Sequence, residues 1–248
     1  MKLFERKKVF VIGGSGGIGA ELSCLLAANG AETYIQGRNK VKLQKLKERI
    51  ESNYKTSVKI FSCDFEKINF SDINKLEFYD ELCDADILCV CYGPFLQKNI
   101  DEMSIEEWES TTLLNYALPG FFVTSVLKNM KSKMWGRILL FGGTGTSFRN
   151  EYRTNIAYAG AKTGLGVLVQ SVASCYSKYG ITCNAILPGF TETEYISEKE
   201  KMILSEKMPL KSMINIKSVT ESALFLLKNP DLNGVLMKID RGWSPYNS

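Results

Sequence analysis

The chain has 248 residues, 45% of them apolar, and its 31 basic and 27 acidic residues leave a net charge of +4. That length allows one α/β domain or two small domains, and the apolar fraction is enough for a substantial core. The basic residues form no dense stripe that would suit a nucleic acid, and no run of about 18 apolar residues predicts a membrane span.

Cysteine and histidine usage narrows the chemistry. The seven cysteines are odd in number and show no Cys-x-x-Cys spacing, so we expect reduced, mostly buried thiols. The absence of histidine excludes a Ser-His-Asp triad, a Cys-His dyad and a histidine-ligated metal, and no metal site is predicted. Proton transfer must fall to Tyr, Lys, Asp, Glu or Cys. Residues 1–8 lack the apolar stretch of a secretory signal, so a cytoplasmic location is expected.

Short apolar runs alternate with amphipathic segments of helix length. This order predicts an α/β fold with a parallel sheet covered on both faces, and ligands bound beyond the carboxyl ends of its strands. No repeat or linker divides residues 1–248, which we interpret as one domain. The predicted strands are Lys8–Ile12, Thr33–Gln36, Val58–Ser62, Asp86–Cys91, Arg137–Phe141, Ile181–Leu187 and Val235–Ile239. The predicted helices are Glu21–Asn29, Lys40–Ser52, Thr111–Lys131, one from Tyr158 towards Tyr179, and Val219–Lys228.

A glycine-rich segment, Gly13-Gly-Ser-Gly-Gly17-Ile-Gly19, follows the first strand and opens the first helix. Glycines there let backbone amides approach a pyrophosphate, and a helix N-terminus favours negative charge. Turns are rich in glycine in any case, but this position in the chain indicates nucleotide binding. The residues assigned to the cofactor are Gly13, Ser15, Gly16, Gly17, Ile18 and Gly19.

The end of the second strand indicates which nicotinamide cofactor would bind. An acidic residue there would bind the adenosine ribose, but the segment is Gln36-Gly-Arg-Asn39. Gly37 removes the acid, and Arg38 offers a guanidinium suited to a 2′-phosphate, unless it is simply solvated. We therefore predict NADP(H), with Asp64 placed to bond the adenine amino group and Phe65 beside it.

Tyr158 and Lys162 lie four positions apart in a predicted helix, so their side chains share one face. A neighbouring cation would favour the phenolate and lower the pKa of Tyr158, which would suit it to general acid–base catalysis. The same spacing also arises by chance in exposed helices, and the pair alone does not decide between the two interpretations.

Taken in order, these motifs resemble the short-chain dehydrogenase/reductase family, in its compact, single-domain branch of 3-ketoacyl reductase-like members. The resemblance runs nearly end to end. Its motifs are Gly13-x-x-x-Gly17-Ile-Gly19, Asn115, Tyr158-x-x-x-Lys162, Asn184-Ala-Ile-Leu-Pro-Gly189 and Ile239-Asp-Arg-Gly-Trp243. It implies a Rossmann-like doubly wound parallel sheet of about seven strands. It also implies a homodimer or homotetramer formed through the Thr111–Lys131 and Tyr158–Tyr179 helices.

The resemblance implies a reaction as well. Hydride would pass between the nicotinamide and a carbonyl carbon, while Tyr158 protonates the carbonyl oxygen during reduction. Lys162 would bind the nicotinamide ribose and hold down the pKa of the tyrosine. Further cofactor contacts would come from Gly93, Pro188, Gly189 and Thr193.

Asn115 also has a physical interpretation. Pro119 has no N–H, so it cannot bond the carbonyl of residue 115 if one helix passes through both. The resemblance implies that this free carbonyl holds a water relaying protons to the lysine. A simple proline kink is the alternative.

The chain departs from the family pattern around the site. Val90-Cys-Tyr-Gly93 replaces the usual Asn-Asn-Ala-Gly after the fourth strand, and Ile12 replaces a threonine before the glycine loop. The serine that normally orients the substrate carbonyl is absent: it falls on Gly143 counted from the strand, and near Gly145 counted from Tyr158.

We predict that Thr144 supplies the missing hydroxyl. Thr146 and Ser147 are the alternatives, as is the absence of any substitute. Residues 191–214 are predicted to form a mobile lid. The side chains predicted to line the substrate pocket are Phe95, Phe148, Tyr152, Phe190 and Tyr195, with Arg149 and Arg153 placed to meet an anionic group or solvent.

The predicted function is an NADP(H)-dependent oxidoreductase that interconverts a small-molecule carbonyl and an alcohol. The alternative is a non-catalytic NADP-binding sensor or assembly protein with the same fold. The missing serine favours this alternative, whereas the presence of Asn115, Tyr158 and Lys162 favours the enzyme.

Overall fold

The computed structural model describes residues 2–147, 151–152 and 154–243, so Phe148, Arg149 and Arg153 lie outside the described residues. The strands are β1 (Lys8–Ile12), β2 (Glu32–Gly37), β3 (Val58–Ser62), β4 (Ile87–Val90), β5 (Gly136–Phe141), β6 (Ile181–Pro188) and β7 (Leu236–Ile239). The helices are α1 (Gly17–Ala28), α2 (Lys40–Tyr54), α3 (Tyr79–Cys83), α4 (Ile105–Thr112), α5 (Leu118–Ser132), α6 (Ile156–Tyr176), α7 (Glu198–Lys207) and α8 (Ile216–Lys228).

The strands form one parallel sheet in the order β3-β2-β1-β4-β5-β6-β7, which confirms the predicted doubly wound fold. The strand order reverses between β1 and β4, and the crevice beyond their carboxyl ends is where such sheets bind ligands. Ile12 is in register with Gln36 of β2 and Val90 of β4. The segments that follow these three strands therefore meet at one edge of the sheet.

The central strands β4 and β5 are buried on both faces, which explains why they are mostly apolar, whereas the edge strands β3 and β7 are partly exposed. Phe10 and Ile12 of β1 join a core cluster that includes Phe122 of α5, whereas Val9 and Val11 join a second cluster on the other side. Successive side chains of a strand point to opposite faces, so the buried residues of β1 after Lys8 pack alternately against the two helical layers.

Strand bounds follow the apolar pattern closely, and β1 and β3 have the predicted bounds. Helix α1 begins at Gly17, within the glycine segment predicted to open it, and α2 begins at the predicted Lys40. The helix predicted from Thr111 begins earlier, at Ile105, where Ser104 and Glu107 form a capping box.

A π-helical turn, Leu113–Ala117, joins α4 to α5 and contains Asn115. Within it, the N–H of Leu118 donates to the carbonyl of Leu113, five residues earlier. Such wide turns interrupt α-helices most often at functional positions. The predicted irregularity at Asn115 is therefore present as a widened turn, with Pro119 at the start of the next helix.

The predicted lid, residues 191–214, contains α7. Thr191 forms an isolated parallel bridge with Ile214, so the two ends of the segment are held together. No residue of α7 is buried, and a capping box between Ser197 and Glu200 begins the helix. Among the described residues, no helix is both long enough and apolar enough to cross a bilayer.

Candidate active site

The turn from β1 into α1 is a tightly packed glycine cradle. Gly13 has a φ of 75°, and a Cβ there would lie 2.9 Å from the backbone nitrogen of Tyr92, beyond β4. A Cβ on Gly19 would overlap the carbonyl oxygen of Gly13. Both positions therefore require glycine, and the N-terminus of α1 can approach the end of β1 closely.

Gln36 holds this cradle from below, a role that the sequence analysis did not assign. Its side chain is buried, accepts a hydrogen bond from Gly13 N at 3.1 Å and donates to the carbonyl of Cys63 at 2.7 Å. It thus ties the ends of β1, β2 and β3 together. A glutamine at the end of an otherwise buried strand was the available signal, since a buried amide needs partners.

The predicted adenosine-binding residues follow β2 and β3. Ser15 packs against Gly37, where a Cβ would lie 2.6 Å from the Ser15 hydroxyl. Arg38 is exposed, with its guanidinium 3.8 Å from the Glu66 carboxylate. Asp64 accepts a hydrogen bond from Glu66 N at 3.3 Å. The space beside Gly37 is taken by Ser15, so this chain has no room for an acidic side chain at that position.

Phe65 and Tyr92 form an aromatic layer beneath this region. The Phe65 side chain is 4% exposed, and its ring lies 5.2 Å from the Tyr92 ring in an edge contact. The Phe65 side chain belongs to the core, so a cofactor contact from Phe65 would come from its backbone. The Tyr92 hydroxyl is buried and has no hydrogen-bond partner among the described residues.

Tyr158 and Lys162 lie one turn apart on α6, as predicted. The Lys162 ammonium is buried, donates to the carbonyl of Phe141 at 3.0 Å and lies 5.7 Å from the centre of the Tyr158 ring. Burial lowers the pKa of Lys162 to about 8, and the nearby Cys91 thiol opposes that shift. Helix α6 thus delivers both groups to the carboxyl end of β5.

The pKa of Tyr158 shifts in the direction opposite to our expectation. Burial, with a smaller contribution from Tyr152, raises the pKa of Tyr158 to about 12. The expected lowering by Lys162 is wrong for the chain by itself, because removal of the phenolate from water outweighs a cation that is not in contact with the hydroxyl. The phenol is therefore protonated at neutral pH.

Asn115 and Lys162 approach the same point from two helices. A Cβ on Gly93 would overlap the Lys162 ammonium nitrogen and lie 2.6 Å from Asn115 Oδ1. Asn115 Nδ2 donates to the carbonyls of Pro94 and Thr111 at 3.0 and 3.1 Å. Asn115 Oδ1 is buried and lacks a hydrogen-bond partner among the described residues. Only a glycine at position 93 leaves room for this approach.

Cys91 is a further residue of this cluster that the sequence analysis did not assign to the site. Burial raises the pKa of its thiol well above the usual value, against the lowering effect of Lys162. The thiol is therefore neutral, and it occupies a position where the family carries an amide. Its place just after β4 was the only signal in the sequence.

The loop after β5 places Gly143 against the phenol. A Cβ there would lie 3.3 Å from Tyr158 Cε1 and 3.6 Å from the Tyr158 hydroxyl. This is the position that the missing serine takes when the chain is aligned from β5. Because Gly143 has no side chain, this position supplies no hydroxyl beside that of Tyr158.

The two threonine hydroxyls of this loop are already bonded to backbone carbonyls. Thr144 donates to the carbonyl of Pro188 at 2.7 Å, and Thr146 donates to the carbonyl of Gly143 at 2.8 Å. Ser147 is exposed. With its proton directed at Pro188, the Thr144 hydroxyl can accept a hydrogen bond but has no second proton to donate.

The segment after β6 connects the two halves of the site. Gly189 N donates to the carbonyl of Ile239 at 2.9 Å, and Pro188 receives the Thr144 hydroxyl. Further along, the Thr193 methyl would lie 3.6 Å from a Cβ on Gly17. The segment therefore runs from the loop after β5, which Pro188 contacts, to the start of α1, which Thr193 approaches.

The predicted pocket side chains divide into two groups. Phe95 is 60% exposed, with its ring 5.0 Å from that of Tyr158, and Tyr152 lies close enough to influence the pKa of Tyr158. Phe190 instead packs on Trp243, with the ring centres 5.1 Å apart. Tyr195 covers Gly16, where an added Cβ would overlap the Tyr195 hydroxyl, so the segment predicted to form a lid reaches the glycine loop.

Comparisons with known proteins identify the family of the chain. The family model described as short chain dehydrogenase matches residues 7–203. A D-beta-hydroxybutyrate dehydrogenase of Rhizobium meliloti (strain 1021) is 23% identical, with 96% of this chain and 98% of that protein covered.

A 3-oxoacyl-[acyl-carrier-protein] reductase FabG of Aquifex aeolicus (strain VF5) is 28% identical, with 90% of each chain covered. A solved short chain dehydrogenase/reductase family protein shares the fold, with a TM-score of 0.85, 98% of both chains covered and 21% identity. The chain therefore belongs to the short-chain dehydrogenase family, whose members are oxidoreductases that interconvert carbonyls and alcohols with a nicotinamide cofactor.

Proposed function

We propose that the chain is an NADP(H)-dependent carbonyl reductase, or the same enzyme acting as an alcohol dehydrogenase, with Tyr158 as general acid and base. The observation that carries this proposal is the convergence of three groups at the ends of β4 and β5. The Tyr158 hydroxyl faces Gly143, Lys162 follows one turn later, and Asn115 Oδ1 approaches Lys162 across Gly93.

The residues at the strand ends fit a dinucleotide. A Cβ added at Gly13, Gly14, Gly16 or Gly19 would lie within 2.9 Å of a neighbouring atom. Gly17 N already donates to a carboxylate, an anion like a phosphate. The residues that would hold the pyrophosphate are Gly13, Ser15, Gly16, Gly17, Ile18 and Gly19. Those that would hold the nicotinamide half are Gly93, Lys162, Pro188, Gly189 and Thr193, and those for the adenosine half are Asp64 and Phe65. A bound nicotinamide supplies the hydride and, when oxidised, a positive charge.

Two features support NADP(H) over NAD(H). Ser15 fills the space beside Gly37, so the acidic residue that would bind a free ribose hydroxyl is absent. Arg38 is exposed and only loosely paired with Glu66, which leaves its guanidinium free to bind a 2′-phosphate.

Tyr158 acts first as an acid in this proposal. A phenol whose pKa is raised to about 12 holds its proton at neutral pH and can donate it to a carbonyl oxygen as that oxygen gains negative charge. Lys162, with its pKa lowered to about 8, remains mostly protonated at pH 7 and favours the phenolate that is left behind. Reduction is therefore the direction for which these groups are prepared.

Thr144 and Asn115 have supporting roles. The Thr144 hydroxyl, which donates to Pro188, would accept a hydrogen bond from the alcohol form of the substrate. The unpartnered Asn115 Oδ1 would accept from Lys162 or from a water between them, and so link the lysine to solvent.

The surroundings of Tyr158 suggest an apolar substrate group. Phe95 presents an exposed ring edge-on to Tyr158, and it could cover an acyl chain or a ring. A carrier-bound 3-ketoacyl chain is one candidate, in line with the FabG relative. We also propose that residues 1–248 form one domain and that residues 191–214 act as a lid.

An open face of α6 supports self-association. A Cβ on Gly160 would meet no described atom within 4 Å, and Val167 is 63% exposed on the same helix. We propose a homodimer or homotetramer through α6 and the α4–α5 run. Analytical ultracentrifugation at micromolar concentration tests this, and a single monomeric species would contradict it.

The function is tested by following NADPH oxidation against a panel of ketones, aldehydes and 3-ketoacyl thioesters, with NADH in parallel. Turnover of any carbonyl, faster with NADPH, is the expected result. Tight NADPH binding without turnover of any compound would favour the non-catalytic sensor, which Gly143 in place of a serine makes the second candidate.

A further inference from the structure

The N-terminus of α1 binds a carboxylate from the far end of the chain. Gly17 N donates to both carboxylate oxygens of Glu194, at 3.1 and 3.0 Å, although 177 positions separate the two residues. The N-cap residue Gly16 has no side chain to cap this helix. Glu194, although distant in sequence, therefore accepts from the Gly17 amide, which lies at the positive end of the α1 dipole.

Two neighbouring side chains hold Glu194 in this place. The Lys42 ammonium of α2 lies 3.4 Å from Glu194 Oε1 and 4.3 Å from the centre of the Tyr195 ring. Tyr195 in turn covers Gly16, where an added Cβ would overlap the Tyr195 hydroxyl. Glu194 and Tyr195 together close the mouth of the glycine cradle.

The contact is well formed but exposed. The side chains of Glu194 and Lys42 are 49% and 39% exposed, so the ion pair itself is weak. The chain before Glu194 is held by the hydrogen bond from Glu192 N to the carbonyl of Ile214, and after it the capping box at Ser197 begins α7. Residues 193–196 lie between these two points and belong to no strand, so Glu194 can leave Gly17 without breaking a strand pairing.

A cofactor pyrophosphate and the Glu194 carboxylate would need the same amides. Both are anions, and both are stabilised by the same helix N-terminus, so they cannot bind there together. We propose that Glu194 is an internal competitor of the cofactor: it occupies the phosphate site of the free chain and must leave before the dinucleotide binds. This inference rests on the proposed nucleotide function of the site.

The competition sets the affinity for the cofactor and frees a cation. If only the fraction of chains with Glu194 displaced can bind, the apparent dissociation constant rises by the inverse of that fraction. Displacement of Glu194 would also release Lys42 from its carboxylate partner and leave its ammonium available to a bound phosphate. Glu194 is thus a residue that determines cofactor affinity without touching the bound cofactor.

The test compares Glu194→Gln and Glu194→Ala with the wild type, with Glu192→Gln as the matched control. Glu192 lies in the same segment and pairs with Lys201, away from α1. Binding of NADPH and of inorganic pyrophosphate is measured by calorimetry, and the melting temperature is measured without ligand. Glutamine can still accept from Gly17 N but has lost the charge, whereas alanine loses both.

We expect both ligands to bind about three- to tenfold more tightly to the Glu194 variants, with alanine at the upper end. The melting temperature without ligand should fall below that of the wild type, because α1 loses its cap. The fall should be smaller for Glu194→Gln than for Glu194→Ala. The control should match the wild type. Unchanged or weaker binding of both ligands by both variants would overturn the proposal.

These outcomes separate the two proposals. If no variant binds NADPH or NADH, the proposed function fails, and the pyrophosphate titration still decides whether Glu194 competes for the site. If the wild type binds NADPH and the Glu194 variants bind it equally well, only the competitor role fails.

Discussion

The two ends of the crevice differ in how their polar groups are satisfied. At the catalytic end, Asn115 Oδ1 lacks a partner among the described residues, and Lys162 is buried at the cost of a lowered pKa. At the phosphate end, the amide of Gly17 is already bonded to Glu194. The catalytic end thus has a buried polar atom that a ligand or water can satisfy. At the phosphate end, a ligand must first displace Glu194.

The difference teaches where a ligand would gain affinity and where it would lose it. A group that satisfies buried, unpartnered atoms adds favourable contacts without replacing any. A phosphate at α1 must first replace a carboxylate that is already bonded there, so its net gain in binding free energy is smaller. The predictions that follow change one end at a time, from the largest expected effect to the smallest.

Lys162→Met tests the free-energy cost of burying a charged lysine at the catalytic end. Because the pKa of Lys162 is about 8 in the folded chain and about 10.5 in the unfolded chain, the unfolded chain binds more protons between these values. The lysine therefore destabilises the fold below pH 8, and this penalty disappears as the pH rises towards 10.5. Relative to Lys162→Met, the wild type should gain about 3 kcal/mol in unfolding free energy from pH 7 to 10.5.

Urea denaturation of both proteins at a series of pH values measures this gain. The exposed Lys178→Met serves as the control and should run parallel to the wild type. If the unfolding free energies of Lys162→Met and the wild type changed with pH in parallel as well, Lys162 would not have the lowered pKa described here.

Arg38→Ser tests the adenosine end of the crevice. Loss of a charge-assisted bond to a 2′-phosphate should weaken NADPH binding about 10- to 100-fold and leave NADH binding unchanged. Fluorescence titration with both cofactors measures the difference, with Lys40→Ser as a neighbouring control. An equal loss for both cofactors would mean that Arg38 does not read the phosphate.

Gly143→Ser adds a hydroxyl at the catalytic end instead of removing a group from it. The new Cβ would lie 3.6 Å from the Tyr158 hydroxyl, so its own hydroxyl could orient a carbonyl beside the phenol. We expect kcat/KM to rise about two- to tenfold, the value of one added hydrogen bond. Gly143→Ala introduces the same Cβ without the hydroxyl and separates crowding from bonding. No gain of serine over alanine would mean that Thr144 already fills the role.

Sequence patterns predicted the sheet better than the helices, for physical reasons. β1 is recognisable because a strand buried on both faces is nearly all apolar, and β3 because Val58, Ile60 and Phe61 leave only Lys59 and Ser62 as polar, exposed positions. Helix α7 was missed because none of its residues is buried, so it shows no apolar periodicity. Its capping box, Ser197 with Glu200, was the available signal.

The candidate site was predictable where local spacing or family resemblance carried it. Tyr158 and Lys162 lie on one helix face for reasons of geometry alone. The direction of the Tyr158 pKa shift was not predictable, because burial depends on packing contributed by distant segments. Glu194 on Gly17 was not predictable either, since nothing in the sequence links two residues so far apart.

The most direct test of the account is a single turnover of prebound NADPH with a carbonyl substrate, comparing wild type with Tyr158→Phe. The ring and its edge contact with Phe95 are retained, so cofactor binding should be preserved. Tyr54→Phe on α2 controls for loss of a hydroxyl elsewhere. We predict that hydride transfer falls about 100-fold or more in Tyr158→Phe, because the proton donor is gone. Equal rates in the two proteins would contradict the assignment of Tyr158 as the acid.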